Sequence, residues 1–176
     1  IFMRIPDLIK SMVIMYSNSD SQTRGELIEI LIPLLEDETV NKVVKSCMKE
    51  LAKNKDSQLF ERAQNVLNQH FKKTSGVYLQ VKVLELRAEL EVMNDDVDIK
   101  RVQDLIAVLT PYLKSEGIEV KQKISWYLVE LMGKSPDLIR DTRLVQDIVD
   151  TQKSVLNNAE ESQKAMTPMI LMKLVS

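Results

Sequence analysis

Cysteine, histidine and glycine are scarce in this sequence, and their scarcity excludes several kinds of chemistry. The chain has one cysteine, Cys47, one histidine, His70, and four glycines that stand singly. One cysteine excludes an internal disulfide and fits a reducing compartment. Neither HExxH nor CxxC occurs, so a zinc site would lack its usual ligands, and no glycine-rich loop is present to bind phosphate. We therefore predict that the protein is not an enzyme and uses no cofactor, no metal and no small-molecule substrate.

Two further patterns have a structural explanation that we favour over a catalytic or metal-binding one. Cys47 lies on the apolar stripe of its predicted helix, which indicates a buried, inert thiol. Asn94, Asp96 and Asp98 have the alternate spacing that opens a calcium loop, but Ile99 stands where that loop requires glycine. We therefore expect this acidic stretch to cap the helix that follows it.

Aromatic residues are also few, at 5% of the chain, and only five prolines occur. β-Sandwiches and barrels need turn residues and aromatic strands in quantity, so this composition disfavours both. Apolar residues recur at helical spacing without sustained alternation, which predicts an all-α fold. The predicted helices, about eight or nine in number, are 2–16, 23–36, 39–54, 57–73, 76–93, 97–115, 118–134, 136–157 and 160–175. The segment 160–175 contains Thr167-Pro168, which favours a split there.

No charge of one sign dominates, and no long apolar run occurs. The net charge is −2, which gives no general attraction to nucleic acid or anionic lipid. The apolar stretch from Ile1 to Tyr16 is interrupted by charged residues, so we expect no membrane partner and an intracellular location, cytoplasmic or nuclear. The chain begins at isoleucine and stops inside the apolar run MILMKLV. We expect a single helical-repeat domain, 1–176, that belongs to a longer protein.

One apolar sequence motif, which we call the repeated phrase, occurs twice in the chain. LIEILIPLL, from Leu27 to Leu35, recurs as LIAVLTPYL, from Leu105 to Leu113, at an offset of 78. Pro33 and Pro111 hold the same place in the two copies. An interior proline removes a hydrogen bond and bends a helix at a cost of about 3 kcal/mol, so its repetition favours a repeated unit. The alternative is that each proline merely ends its helix.

The helix after each phrase repeats as well, at an offset of 80. Its apolar stripe is Val40, Val44, Cys47, Met48 and Leu51 in the first copy, and Val120, Ile124, Tyr127, Leu128 and Leu131 in the second. A helix pair lies between the copies, where Val83 and Leu90 match Val44 and Leu51 but Arg87 stands opposite Met48. Short connections predict antiparallel hairpins throughout.

Helix pairs of this length, with a proline in the first helix and a polar turn that leads to Val-Lys in the second, resemble HEAT repeats. The clearer copy is PYLKSEGIEVK, 111–121, and the earlier copy is PLLED, 33–37, which leads to Val43 and Val44. Both prolines lie about one turn later than is usual, and Ser115 and Lys121 stand where Asp and Arg are common. The resemblance implies antiparallel hairpins stacked as an α-solenoid whose second helices line a concave face, and it implies no enzymatic activity.

Two surface features suggest partner-binding residues. Lys42, Lys45, Lys49 and Lys53 recur at steps of three and four and form what we call the basic ridge, opposite the apolar stripe of their helix. The ridge would meet an acidic protein segment or a phosphate backbone, or it is simply a solvated face. Trp126, the sole tryptophan, lies away from the core stripe of its helix. It would anchor a partner, or it packs against an adjacent repeat.

The predicted function is therefore a non-catalytic scaffold or adaptor that mediates protein–protein interaction through a helical-repeat surface. The expected partners are other proteins, through a peptide segment or a helix. Two alternatives stay open: a nucleic-acid-associated module that binds through the basic ridge, and a compact helical domain with a regulatory or oligomerisation role.

Overall fold

The computed structural model describes residues 4–52, 57–115, 117–135, 137 and 141–175, and all the regular elements in these ranges are helical. The prediction of an all-α chain is confirmed. The α-helices of the described residues are α1 (Ile5–Tyr16), α2 (Ser21–Leu31), α3 (Asn41–Ala52), α4 (Ser57–Lys73), α5 (Val77–Met93), α6 (Ile99–Leu109), α7 (Ile118–Lys134), α8 (Thr142–Asn158) and α9 (Thr167–Val175). Three 3-10 helices accompany them: Ile32–Glu36, Thr110–Lys114 and Glu161–Lys164.

The helices form two compact units, Ile1–Met93 and Asn94–Ser176. The first unit contains α1 to α5, and the second contains α6 to α9. The expectation of one domain over 1–176 stays a prediction.

In the first unit, helices that are two apart in the sequence contact each other. α3 contacts both α1 and α5, and α2 contacts α4. The predicted stripe of α3 is buried throughout, and so are Val83 and Leu90 on α5. Cys47 is buried as predicted, and this burial raises the pKa of its thiol. The largest fully buried side chains of this unit are Ile28, Ile32, Leu35, Met48, Leu51, Leu59, Leu67, Leu84, Leu86 and Leu90.

In the second unit, α7 contacts α6, α8 and α9, while α8 also contacts the 3-10 helix Thr110–Lys114. The core contains Val102, Leu105, Leu109, Ile124, Leu128, Leu131, Ile148 and Ile170. A buried network of uncharged polar groups crosses it. Gln152 donates to Ser125 at 2.9 Å and accepts from Thr167 at 2.9 Å, which links α8 to α7 and α9. Because Gln152, Ser125 and Thr167 hydrogen-bond one another, part of the cost of burying these polar side chains is offset.

The two copies of the repeated phrase have the same secondary structure, one copy in each unit. In each copy an α-helix ends two residues before the proline, a 3-10 helix of five residues carries the proline in its first turn, and a second α-helix follows. A proline nitrogen has no hydrogen to donate, so the α-helical ladder stops there and the chain continues with tighter turns. The predicted continuous α-helices over 23–36 and 97–115 are therefore wrong at their carboxyl ends.

Two other predicted helix boundaries lie in the second unit. The α-helix predicted over 136–157 is interrupted at Asp141, whose carboxylate accepts hydrogen bonds from the backbone of Arg143 and Leu144 and caps α8 at Thr142. Pro136 lies outside the described residues. The split at Thr167-Pro168 is confirmed, since α9 begins at Thr167.

Asp98 is the residue of the acidic stretch that caps α6. Its carboxylate accepts a hydrogen bond from the backbone nitrogen of Arg101 at 3.1 Å, and this bond lowers the pKa of Asp98. The predicted capping role of the stretch is thereby confirmed at Asp98.

Candidate functional site

The basic ridge lies on α3, and α5 supplies acidic partners for two of its lysines. Lys45 forms an ion pair with Glu85, and Lys49 Nζ lies 2.7 Å from the Glu89 carboxylate. Lys42 is exposed, and Lys53 lies outside the described residues. Because two glutamates offset two of the lysines, the ridge presents less positive charge than its sequence indicates. A partner role for these lysines stays a prediction.

These ion pairs follow from matched helical spacing. Lys45 and Lys49 are one turn apart on α3, as Glu85 and Glu89 are on α5, so adjacent packing of the two helices aligns both pairs. The inner pair is the more buried, since the side chain of Lys45 is 13% exposed and that of Glu85 only 3%. Lys82 Nζ also lies 3.9 Å from Glu85.

Trp126 is half-buried on α7, and Lys173 of α9 lies over its ring. Lys173 Nζ lies 4.7 Å from the centre of the indole ring, and the same ammonium group pairs with Glu130. Part of the ring surface is therefore covered by a cation from the same unit, in agreement with the packing alternative. Whether Trp126 also contacts a partner stays a prediction.

A groove in the second unit was not predicted from the sequence. It has a volume of about 800 Å³ and lies between α8 on one side and α6, the 3-10 helix Thr110–Lys114 and α7 on the other. Its apolar floor consists of the buried residues Ile106, Leu113 and Leu144. Pro111, the proline of the repeated phrase, also lines it.

The two walls of the groove carry opposite charges. Lys114 and Lys121 line it from the 3-10 helix and α7, whereas α8 contributes Asp147 and Asp150 together with Arg143, which leaves that wall with a net negative charge. Asp150 lies 3.4 Å from Lys153 on the exposed side of α8. Within the described part of the chain, Lys114, Lys121 and Asp147 have no ion-pair partner. The groove therefore combines an apolar floor with charges available to a ligand.

The first copy of the phrase has a different arrangement at the equivalent positions. Gly25 and Glu29 correspond to Gln103 and Ala107 at the offset of 78. In the first unit, Arg62 from α4 lies across Gly25 and donates to the Glu29 carboxylate at 2.7 and 3.0 Å. In the second unit, Gln103 and Ala107 are exposed and line the groove. The second copy has Ala107 where the first copy has Glu29, and this difference is the sequence feature from which an uncovered surface could have been predicted.

The close approach of Arg62 to Gly25 leads to a prediction. A Cβ atom on Gly25 would lie 2.7 Å from Arg62 Cδ, so Gly25→Ala must displace the arginine and weaken its exposed ion pair. That loss, up to about 1 kcal/mol, offsets the gain of about 1 kcal/mol that alanine brings to a helix interior. We expect almost no net change in the free energy of unfolding, measured by urea denaturation, but a gain of about 1 kcal/mol when Arg62→Ala is already present.

Gly133 in α7 provides the control, because a Cβ atom there would have no heavy atom within 4 Å. Gly133→Ala should have the same effect with and without Arg62→Ala. If Gly25→Ala also had equal effects in both backgrounds, the contact between Gly25 and Arg62 would be without energetic consequence.

Among the described residues, no group of three or more His, Cys, Asp or Glu side chains is placed to hold a metal ion. Within the same ranges, none of the helices has the length and apolar character needed to cross a membrane.

No protein-family model matches this sequence, and comparisons with curated proteins and with solved structures also find no match. The resemblance to HEAT repeats therefore stays a prediction that depends on the residues quoted above.

Proposed function

We propose that this protein is a non-catalytic scaffold that binds another protein in the groove of its second unit. The observation that carries the proposal is the apolar floor of Ile106, Leu113 and Leu144, bordered by charged residues on both walls. Apolar surface bordered by polar residues is typical of sites that bind a protein segment. We place this function in an intracellular compartment, cytoplasmic or nuclear, because the single cysteine fits a reducing environment.

We further propose that the hairpins of each unit stack as in a HEAT-like α-solenoid. Contacts between alternate helices, α1 with α3 and α3 with α5, are typical of stacked hairpins. The shared succession of α-helix, 3-10 helix and α-helix in the two phrases also supports a repeated unit.

The nucleic-acid alternative has weaker support. Lys45 and Lys49 already pair with glutamates, so a phosphate group would have to displace a carboxylate at each of them. Binding through neutralised lysines would release few counterions and bring little of the usual electrostatic free energy.

A site-specific photo-crosslinking experiment tests the scaffold function. A photoreactive amino acid at exposed Ala107 points to the groove, and the same amino acid at exposed Ala165, outside the groove lining, is the matched control. In cells of the source organism we expect Ala107 to crosslink a discrete set of proteins that Ala165 does not. We also expect Ala107→Arg, but not Ala165→Arg, to reduce co-purification of those proteins by about tenfold, because arginine fills the groove.

Identical crosslinks at the two positions, or co-purification that is unchanged by Ala107→Arg, would contradict the proposal. Thermal unfolding of both arginine variants shows whether they fold as the parent chain does, since both substitutions are at exposed positions and should change stability by less than about 0.5 kcal/mol.

A further inference from the structure

We infer that the groove binds a single amphipathic α-helix of a partner protein, with acidic residues on one flank of its apolar stripe and basic residues on the other. The acidic flank would meet Lys114 and Lys121, and the basic flank would meet Asp147 and Asp150. This inference depends on the proposed scaffold function and specifies the chemistry of the partner.

The dimensions of the groove fit a short helix. On α8 its lining extends from Arg143 to Ser154, which at 1.5 Å per residue is about 16 Å, or three helical turns. A backbone that enters an apolar groove must have its hydrogen bonds satisfied. The walls of the groove are helices and offer no strand edge for pairing, so a segment that satisfies its own backbone is favoured.

The charges of the groove determine the flanks of that helix. Docking would remove Lys114, Lys121 and Asp147 from water, and a charge buried without a partner is costly. Each wall therefore favours a ligand flank of the opposite sign. A helix with two acidic flanks would be repelled by Asp147 and Asp150. A helix with two basic flanks would be repelled by Lys114 and Lys121.

The same charges disfavour nucleic acid in this groove. Asp141, Asp147 and Asp150 all line it, so a phosphate backbone would meet three carboxylates as well as the three cations Lys114, Lys121 and Arg143. Repulsion from these carboxylates would oppose the attraction on which nucleic-acid binding depends.

Three fluorescently labelled helical peptides of about 18 residues test the inference on the full chain. All carry the same leucine stripe. The mixed peptide has glutamates on one flank and lysines on the other, the second has glutamates on both flanks, and the third has lysines on both. Fluorescence anisotropy should give the mixed peptide a Kd about tenfold lower than either of the others, a difference that Ala107→Arg removes and Ala165→Arg does not.

A variant in which the charge of one groove wall is reversed provides a second measurement. The double variant Lys114→Glu/Lys121→Glu makes both walls acidic, so it should prefer the peptide with two lysine flanks by about tenfold. Both lysines lie at the groove surface, and circular dichroism verifies that the variant keeps its helices.

Equal Kd values for the three peptides, or a preference that is unchanged by the charge reversal, would overturn the inference. Binding of a single-stranded or duplex DNA probe that Ala107→Arg abolishes would also overturn it. If the peptides fail while crosslinking at Ala107 remains specific, the scaffold function stands and only the helical, mixed-charge partner is wrong. If both fail, the groove is not a protein-binding site.

Discussion

We expect Arg87→Met to lower the free energy of unfolding by about 3 kcal/mol, because it removes a buried charge that other buried groups depend on. Arg87 is 5% exposed, and its guanidinium group donates to Asn68 at 3.0 Å and to Gln64 at 3.3 Å. Gln64 also lies 3.4 Å from the carboxylate of Glu91, which is 1% exposed. Methionine would match the apolar residue of the other repeats, but it leaves these polar groups with fewer partners in the core. Urea denaturation followed by circular dichroism measures the loss.

Two further variants make this prediction specific. Arg143→Met changes an exposed arginine and should alter stability by less than about 0.5 kcal/mol. The triple variant Arg87→Met/Gln64→Leu/Glu91→Leu removes the buried members of the network, leaves only the half-buried Asn68, and should recover most of the lost stability. A loss below about 1 kcal/mol for Arg87→Met alone would show that the network does not stabilise the packing of α4 on α5.

The second large effect is expected from Lys45→Ala, which should cost about 2 to 3 kcal/mol. The substitution leaves Glu85, whose side chain is 3% exposed, without its nearest cation. Lys82, at 3.9 Å, compensates in part, so the expected loss lies below the roughly 3 to 5 kcal/mol that is typical of a broken buried pair. Thermal or urea unfolding of the purified chain measures the difference.

Lys49→Ala is the matched control on the same helix face. The side chains of Lys49 and Glu89 are 34% and 21% exposed, so solvent screens this pair and its loss should cost less than about 1 kcal/mol. Similar losses for Lys45→Ala and Lys49→Ala would mean that burial does not distinguish the two ion pairs. Lys45→Met combined with Glu85→Leu should regain most of the stability that Lys45→Ala loses, because the buried carboxylate is then absent and only Lys82, which is 16% exposed, loses a partner.

Much of the fold could be predicted from local patterns. The all-α class, the apolar stripe of α3, the burial of Cys47 and the cap at Asp98 depend on spacings of three or four residues, which the sequence displays directly. The carboxyl ends of α2 and α6 could not be placed as well, since the sequence does not decide between a bent α-helix and a change to 3-10 turns at Pro33 and Pro111.

Less of the candidate site could be predicted. Lys45 and Lys49 were correctly placed on one face of a helix, but their pairing partners are 40 residues away in the sequence. In the sequence, Arg87 was a mismatch to the apolar stripe of the middle helix pair. In the structure it is the centre of a polar network between α4 and α5. Periodicity identifies which face of a helix is apolar but not which neighbour covers the polar residues beside it.

The sequence by itself determined that this protein is helical, where most of its helices lie and which apolar faces they bury, because helix propensity, capping and apolar spacing act within one or two turns. The tertiary structure alone decided that glutamates neutralise part of the basic ridge and that a charged groove lies between α8 and the elements from α6 to α7. Such features depend on how helices that are distant in sequence pack together, and packing of this kind is set by the fit of whole surfaces rather than by any short run of residues.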